Sequence, residues 1–271
     1  MKTIYKIIPK IILFLMLALV VCSCQKVINI DLNSASPKIV IDANISDQPG
    51  PYIVTLSQTI NFSQDNLFPP VTGAHVVITD NVGNTDVLKE VLPGKYQTST
   101  LQGTPGRTYT LSVTANGINY SAVSTMPAPV AIDQIASKNR FNSAKNKVIT
   151  IDFLDPKGID NYYHIVEKVT NIVPVNGNIQ IPTLGSVTND RLSDGTEINY
   201  TSGGNQPDLA IGDTVIVSLQ CVDINVYNYF RTAEQNGSSS TTLSNPVTNI
   251  TNGALGYFSA YAVRSKTIII Q

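Results

Sequence analysis

The sequence predicts an all-β chain of two tandem antiparallel β-sandwich domains, with one short helix in the second. Three observations predict it. Short β-branched runs bounded by turn residues recur from Lys38 to the C-terminus. A proline-flanked stretch without clear period, Met126 to Ile132, divides them, and only Asp223 to Gln235 shifts from a period of two to helical spacing. At 271 residues the chain is long enough for two domains of ordinary size.

Residues 1–23 read as a secretory signal. Lys2, Lys6 and Lys10 form a positive start, and Ile11 to Val21 is an unbroken apolar run of eleven residues. A permanent membrane helix needs roughly 20 apolar residues, so this run suits a cleaved leader. Val21-Cys22-Ser23-Cys24 then resembles the lipobox of bacterial lipoproteins, with a small Ser before the residue to be acylated, Cys24. That resemblance implies a lipid anchor at Cys24 and placement in the outer membrane, facing either the periplasm or the surface. With Cys22 removed and Cys24 acylated, Cys221 keeps the last thiol, and the fold must hold without a disulfide. Cys221 lies in the apolar run Val215 to Val222, where a buried inert thiol is expected.

Residues 24–37, rich in Asn, Ser and Pro, form a tether. The first sandwich spans 38–127. Lys38 to Ile45, Tyr52 to Ser57, His75 to Thr79, Asp86 to Val91, Lys95 to Thr100, Arg107 to Ala115 and Ile118 to Val123 are its predicted strands. Asn116-Gly117 suits a two-residue type I′ hairpin, and Asn81 to Asn84, with Gly83, suits another turn. Gly106-Arg-Thr-Tyr109-Thr-Leu111 has the pattern of a tyrosine corner, which makes this domain immunoglobulin- or fibronectin-like.

The second domain, 128–271, is also mainly β. Its clearest runs are Lys147 to Leu154, Tyr162 to Thr170, Thr214 to Val222 and Tyr257 to Ile270. Val226, Tyr229, Phe230 and Ala233 recur at spacings of three, four and seven, which predicts an amphipathic helix near 224–235. Asp223 or Asn225 is its candidate cap, and the Asn236 to Thr242 stretch its end.

Chemistry is sparsely encoded. His75 and His164 fall in different domains, too few and too far apart for a zinc site or a serine triad. Asp152, Asp155, Asp160, Glu167 and Glu197 are candidate paired acids for hydrolysis, but none sits in a signature. Asp155 to Asn161 and Asp190 to Thr196 have oxygen donors and a Gly turn but lack the EF-hand pattern, so both read as plain turns. No phosphate loop, nucleophile elbow or dinucleotide fingerprint is present. No enzyme activity, cofactor or metal is expected. Without the leader lysines, 15 basic residues face 19 acids, and no basic patch suggests nucleic acid. Asp213-Thr214-Val215 resembles a short O-glycosylation sequon of exported proteins, and after Gly212 it equally reads as a strand start.

Four stretches carry a wider resemblance: Ser23 to Ile28, Ile45 to Tyr52, Pro105 to Tyr109 and Ala254 to Phe258, with the helix Val226 to Thr232 beside them. In these the chain resembles an uncharacterised Bacteroidetes lipoprotein family, a domain of unknown function often found beside TonB-dependent outer-membrane transporters. The chain has no Trp, and Phe230 and Asn44 stand where relatives of that family carry one. The resemblance implies a lipid-anchored outer-membrane accessory or binding protein assisting a TonB-dependent transporter in nutrient uptake. The alternative is a structural or adhesive envelope protein with no small-molecule ligand.

Overall fold

Alternation along each strand translates directly into burial. In β1 (Ile39–Ser46), Ile39, Ile41, Ala43 and Ile45 turn inward while Asp42 is exposed. The computed structural model describes residues 36–60, 67–140, 143, 147–171, 183–202, 209–237 and 244–271. Cys24, the leader and all of the tether but its last two residues lie outside the described residues.

In the first half, β1, β2 (Ile53–Gln58), β5 (Lys89–Leu92) and β6 (Lys95–Gln97) lie in one sheet. β3 (His75–Asp80), β4 (Thr85–Val87), β7 (Thr108–Ala115) and β8 (Ile118–Thr125) form a four-stranded sheet in the order β4-β3-β7-β8. Their inner faces meet in one core that includes Ile41, Leu56, Ile78, Tyr96, Leu111 and Met126. The predicted turn at Asn116-Gly117 has φ values of 52° and 78°, the positive pair that a type I′ hairpin requires. The tyrosine corner is present, because the Tyr109 hydroxyl accepts the Thr104 N–H at 2.7 Å.

The second half pairs a three-stranded sheet with the other end of the large one. The former runs β13-β10-β9, from β9 (Gln134–Asn139), β10 (Lys147–Leu154) and β13 (Glu197–Thr201). The latter contains β11 (Tyr162–Asn171), β12 (Thr183–Asn189) and β14 (Thr214–Val222). Ile149, Ile151, Phe153, Tyr163, Val217 and Leu219 fill the core between them. Met126 belongs to the first core, and Val130 and Ile132 to the second.

The last strand departs from a purely tandem, purely antiparallel plan. β15 (Leu255–Ile269) pairs in parallel with β1 from Val40↔Leu255 to Ser46↔Tyr261. It then pairs antiparallel with β14 from Cys221↔Ala262 to Thr214↔Ile269. One eight-stranded sheet, β12-β11-β14-β15-β1-β2-β6-β5, therefore runs through both halves. Ile250, Ala254, Phe258, Ala260 and Ala262, from the predicted second domain, complete the first core. Residues 37–271 form one compact unit. The physical reason lies in burial and pairing: β15 covers apolar surface of the first core with Phe258, Ala260 and Ala262 and pairs the edge that β1 would otherwise leave open. Gly256 permits the close parallel approach: a β-carbon there would sit 2.0 Å from the Ile41 carbonyl oxygen, and its φ is +92°.

The helix α1 (Ile224–Gly237) begins where β14 ends. Asp223 caps it, its Oδ1 accepting the N–H groups of Asn225 at 2.8 Å and Val226 at 3.0 Å. Its Oδ2 accepts the Ser124 hydroxyl and the Thr125 N–H at 3.2 Å, so the cap also ties the helix to β8. No described helix is long and apolar enough to cross a membrane.

Candidate functional site

The helical spacing seen in the sequence presses Val226 and Tyr227 onto Val222 and brings Phe230 over the large sheet. Between α1 and the sheet lies an open cavity of about 590 Å³. His164 of β11, Gln220 of β14, Tyr257 of β15 and Asn44 of β1 form its floor, and Phe230 and Glu234 come from the helix. Four strands that are distant in sequence reach it because the eight-stranded sheet places them side by side.

The aromatic rings form a continuous surface. The His164 and Phe230 rings stack at 3.9 Å with an interplanar angle of 16°. Phe230 meets Tyr257 at 4.9 Å and Tyr229 at 5.3 Å, and Tyr229 meets Tyr257 at 4.7 Å. Such offset and edge contacts fix the rings relative to one another. At the polar end, the Asn44 Nδ2 donates to Asp42 Oδ1 at 2.9 Å and to the Tyr257 hydroxyl at 3.2 Å.

Burial sets the charge state of this surface. It pushes the His164 imidazole down to about 4, against the hydrogen bond to Gln220, so the ring is neutral near pH 7. His164 Nδ1 lies 2.9 Å from Gln220 Oε1. The other ring nitrogen packs close to Gly185, where a β-carbon would lie 2.3 Å from Nε2. His164 is thus built as a wall. Burial, with the charge of Asp42, raises the phenols of Tyr257 and Tyr229, which remain protonated hydrogen-bond donors. Glu234 at the rim accepts the Val187 N–H at 2.8 Å.

The other residues singled out in the sequence are dispersed. His75 is exposed at the start of β3. Cys221 is 1% exposed, and burial pushes its thiol up to about 11, as an inert core cysteine requires. In the sequon-like stretch, Asp213 and Val215 are buried and Thr214 is paired within the sheet on both sides. Asp152 accepts the Asn199 amide at 3.0 Å, and Glu197 is exposed in β13. Glu167 is buried in the second half, and burial raises it to about 7 against a hydrogen bond from Ser202.

Asp160 lines a cavity beside Asp190 and Asp194, and Asp155 comes closer still to other carboxylates. It meets Asp190 and Asp194, their oxygens lying within 4.8 Å of one another. The two stretches read as separate turns are therefore one structure. Asp155 N–H donates to the Thr196 carbonyl at 3.0 Å and Asp190 N–H to the Asn161 carbonyl at 3.3 Å. Sequence reasoning had both halves of this cluster but no signal that β11 and β12 would bring them together.

The fold and the site define an all-β, sandwich-like protein with an aromatic cavity beneath the helix α1. The chain belongs to the family described as Domain of unknown function (DUF4249), whose model matches residues 25–267. No curated protein matches the chain. Among solved structures, the chain is similar to the Yersinia pseudotuberculosis adhesin InvE at 19% identity and a TM-score of 0.21. That match covers 68% of this chain and 55% of the adhesin chain, so it spans about half of the latter's length.

Proposed function

We propose that the chain is a lipid-anchored binding protein of the outer membrane, held through Cys24, that takes an uncharged, partly apolar ligand beneath α1. The observation that carries this reading is the cavity itself. Its rings offer flat apolar surface, and Asn44, Gln220 and the tyrosine hydroxyls offer neutral hydrogen bonds at its edge. Phe230 and Asn44, the positions where the resembled lipoproteins carry Trp, line this same cavity. A TonB-dependent transporter is the proposed recipient of the ligand.

Two measurements test the reading. Protease shaving of intact cells, with a Cys24→Ala variant beside the parent, reads anchoring and orientation. A Cys24→Ala chain that stays in the membrane fraction refutes the anchor. Crosslinking followed by native detergent extraction reads the partner. A parent chain that never brings down a transporter refutes the transporter as recipient, and a Phe230→Ala chain whose transporter crosslinks match the parent's refutes a role for this cavity in that partnership.

A further inference from the structure

The Asp155–Asn161 and Asp190–Thr196 loops join β10 to β11 and β12 to β13 at one end of the second half. Asp155 and Asp190 are 2% and 6% exposed, and Asp194 is exposed. Neutral donors hold the three carboxylates. The Tyr163 hydroxyl donates to Asp155 Oδ1 at 2.5 Å, and the Gly195 N–H to Asp155 Oδ2 at 3.1 Å. The Asn161 N–H donates to Asp190 Oδ2 at 2.8 Å, and the Gly158 N–H to Asp194 Oδ1 at 2.6 Å. No Lys or Arg among the described residues forms an ion pair with any of the three. Each contacted oxygen still keeps a lone pair, because a carboxylate accepts at about four positions.

A second feature points the same way. Asn161 is 8% exposed and fastened to Asp190 through both its backbone N–H and its carbonyl. Its side-chain Oδ1 is buried and has no donor. A buried acceptor without a donor is rare, and this one belongs to a residue whose backbone is bonded to a member of the carboxylate cluster, so a cation bound there would satisfy it.

We propose that these groups form a divalent-cation site that takes Ca²⁺, with Asp155, Asp190, Asp194 and the Asn161 amide oxygen as its protein donors. The donor set is all oxygen, which selects a hard cation. Ca²⁺ accepts six to eight oxygens in flexible geometry, whereas Mg²⁺ demands a near-octahedral shell. A cavity of about 650 Å³ lined by Gly158, Asp160, Asp190 and Asp194, with Arg191 also on its wall, gives the ion an entrance and room for water ligands. Tyr227 and Arg231 of α1 line the same cavity, so the ion would rigidify the support of the helix as well as the two loops.

The test uses the full chain stripped with a chelator. Ca²⁺ at about 100 times its Kd should raise Tm by roughly 5 °C. Tb³⁺ should emit under tyrosine excitation, sensitised by Tyr163, and Ca²⁺ should displace it. Asp194→Asn changes an exposed side chain and leaves the core untouched, so its loss of Ca²⁺ affinity, at least about tenfold, reads the site and not the fold. Equal Tm in chelator and in millimolar Ca²⁺ overturns the proposal. So does an Asp194→Asn chain that responds to Ca²⁺ like the parent, or tighter binding of Mg²⁺ than of Ca²⁺.

Discussion

Glu167→Gln should unmask a pH dependence that the native chain conceals. Glu167 is 2% exposed, its Oε1 has no donor among the described residues, and burial lifts its carboxyl from 4.5 to about 7. A carboxyl raised on folding stabilises the native state fully below the unfolded value. That contribution is lost as pH rises through the folded value. The 2.5-unit difference corresponds to about 3 kcal/mol lost between about pH 4.5 and 7. His164 does the opposite. Burial lowers it from 6.5 to about 4, so its contribution is complete above pH 6.5 and disappears as pH falls toward 4, again about 3 kcal/mol. The two slopes have opposite signs over nearly the same window and largely cancel. Urea unfolding at intervals from about pH 4.5 to 8 should therefore show little change from these groups in the parent. Glu167→Gln should gain stability steadily as pH rises toward 6.5 and exceed the parent by about 2 to 3 kcal/mol at pH 8. A stability difference between the two chains that is constant across this range would refute the argument, because it would mean that Glu167 titrates alike in the folded and unfolded states.

Three further outcomes follow from single contacts. Tyr109→Phe leaves the Thr104 N–H without its acceptor and should cost about 1 to 2 kcal/mol in urea unfolding at constant m-value. Asp223→Ala removes both the cap of α1 and its tie to Ser124, and should cost about 2 kcal/mol, with Asp223→Asn recovering part of it. Gly256→Ala drives a β-carbon into the Ile41 carbonyl at a positive φ, and should lower stability by about 3 kcal/mol or more. Hydrogen exchange should then show faster opening of β1 than of β10 in that variant.

Much of the fold was legible because its signals are local. Lys147 to Leu154 and Thr214 to Val222 are strands over their whole predicted lengths, since alternation and β-branching determine them residue by residue. The helix was legible from Val226, Tyr229, Phe230 and Ala233, and its start from Asp223. The misses have physical causes. β9, β12 and β13 are polar and carry too few apolar residues for a period to show. The run predicted over Asp86 to Val91 divides at buried Leu88, with β4 and β5 joining different sheets. The strand predicted to Thr100 stops at Gln97, because the Asp86 carboxylate gathers the N–H groups of Ser99, Thr100 and Leu101 into a turn. The site was legible only in its parts. Phe230 and His164 were visible as an aromatic and a strand histidine, but their stacking depends on pairings between distant strands that no local pattern encodes.

The position of β15 also bears on the order in which the chain matures. β1 is the first described strand in chain order and β15 the last described, yet each is the other's neighbour. A chain delivered N-terminus first presents β1 well before β15 can reach it. During that interval its open edge is a template for any other extended chain. A nascent chain of this design should need a holding factor until its final residues emerge, and truncations that remove β15 should aggregate rather than yield a smaller folded first half.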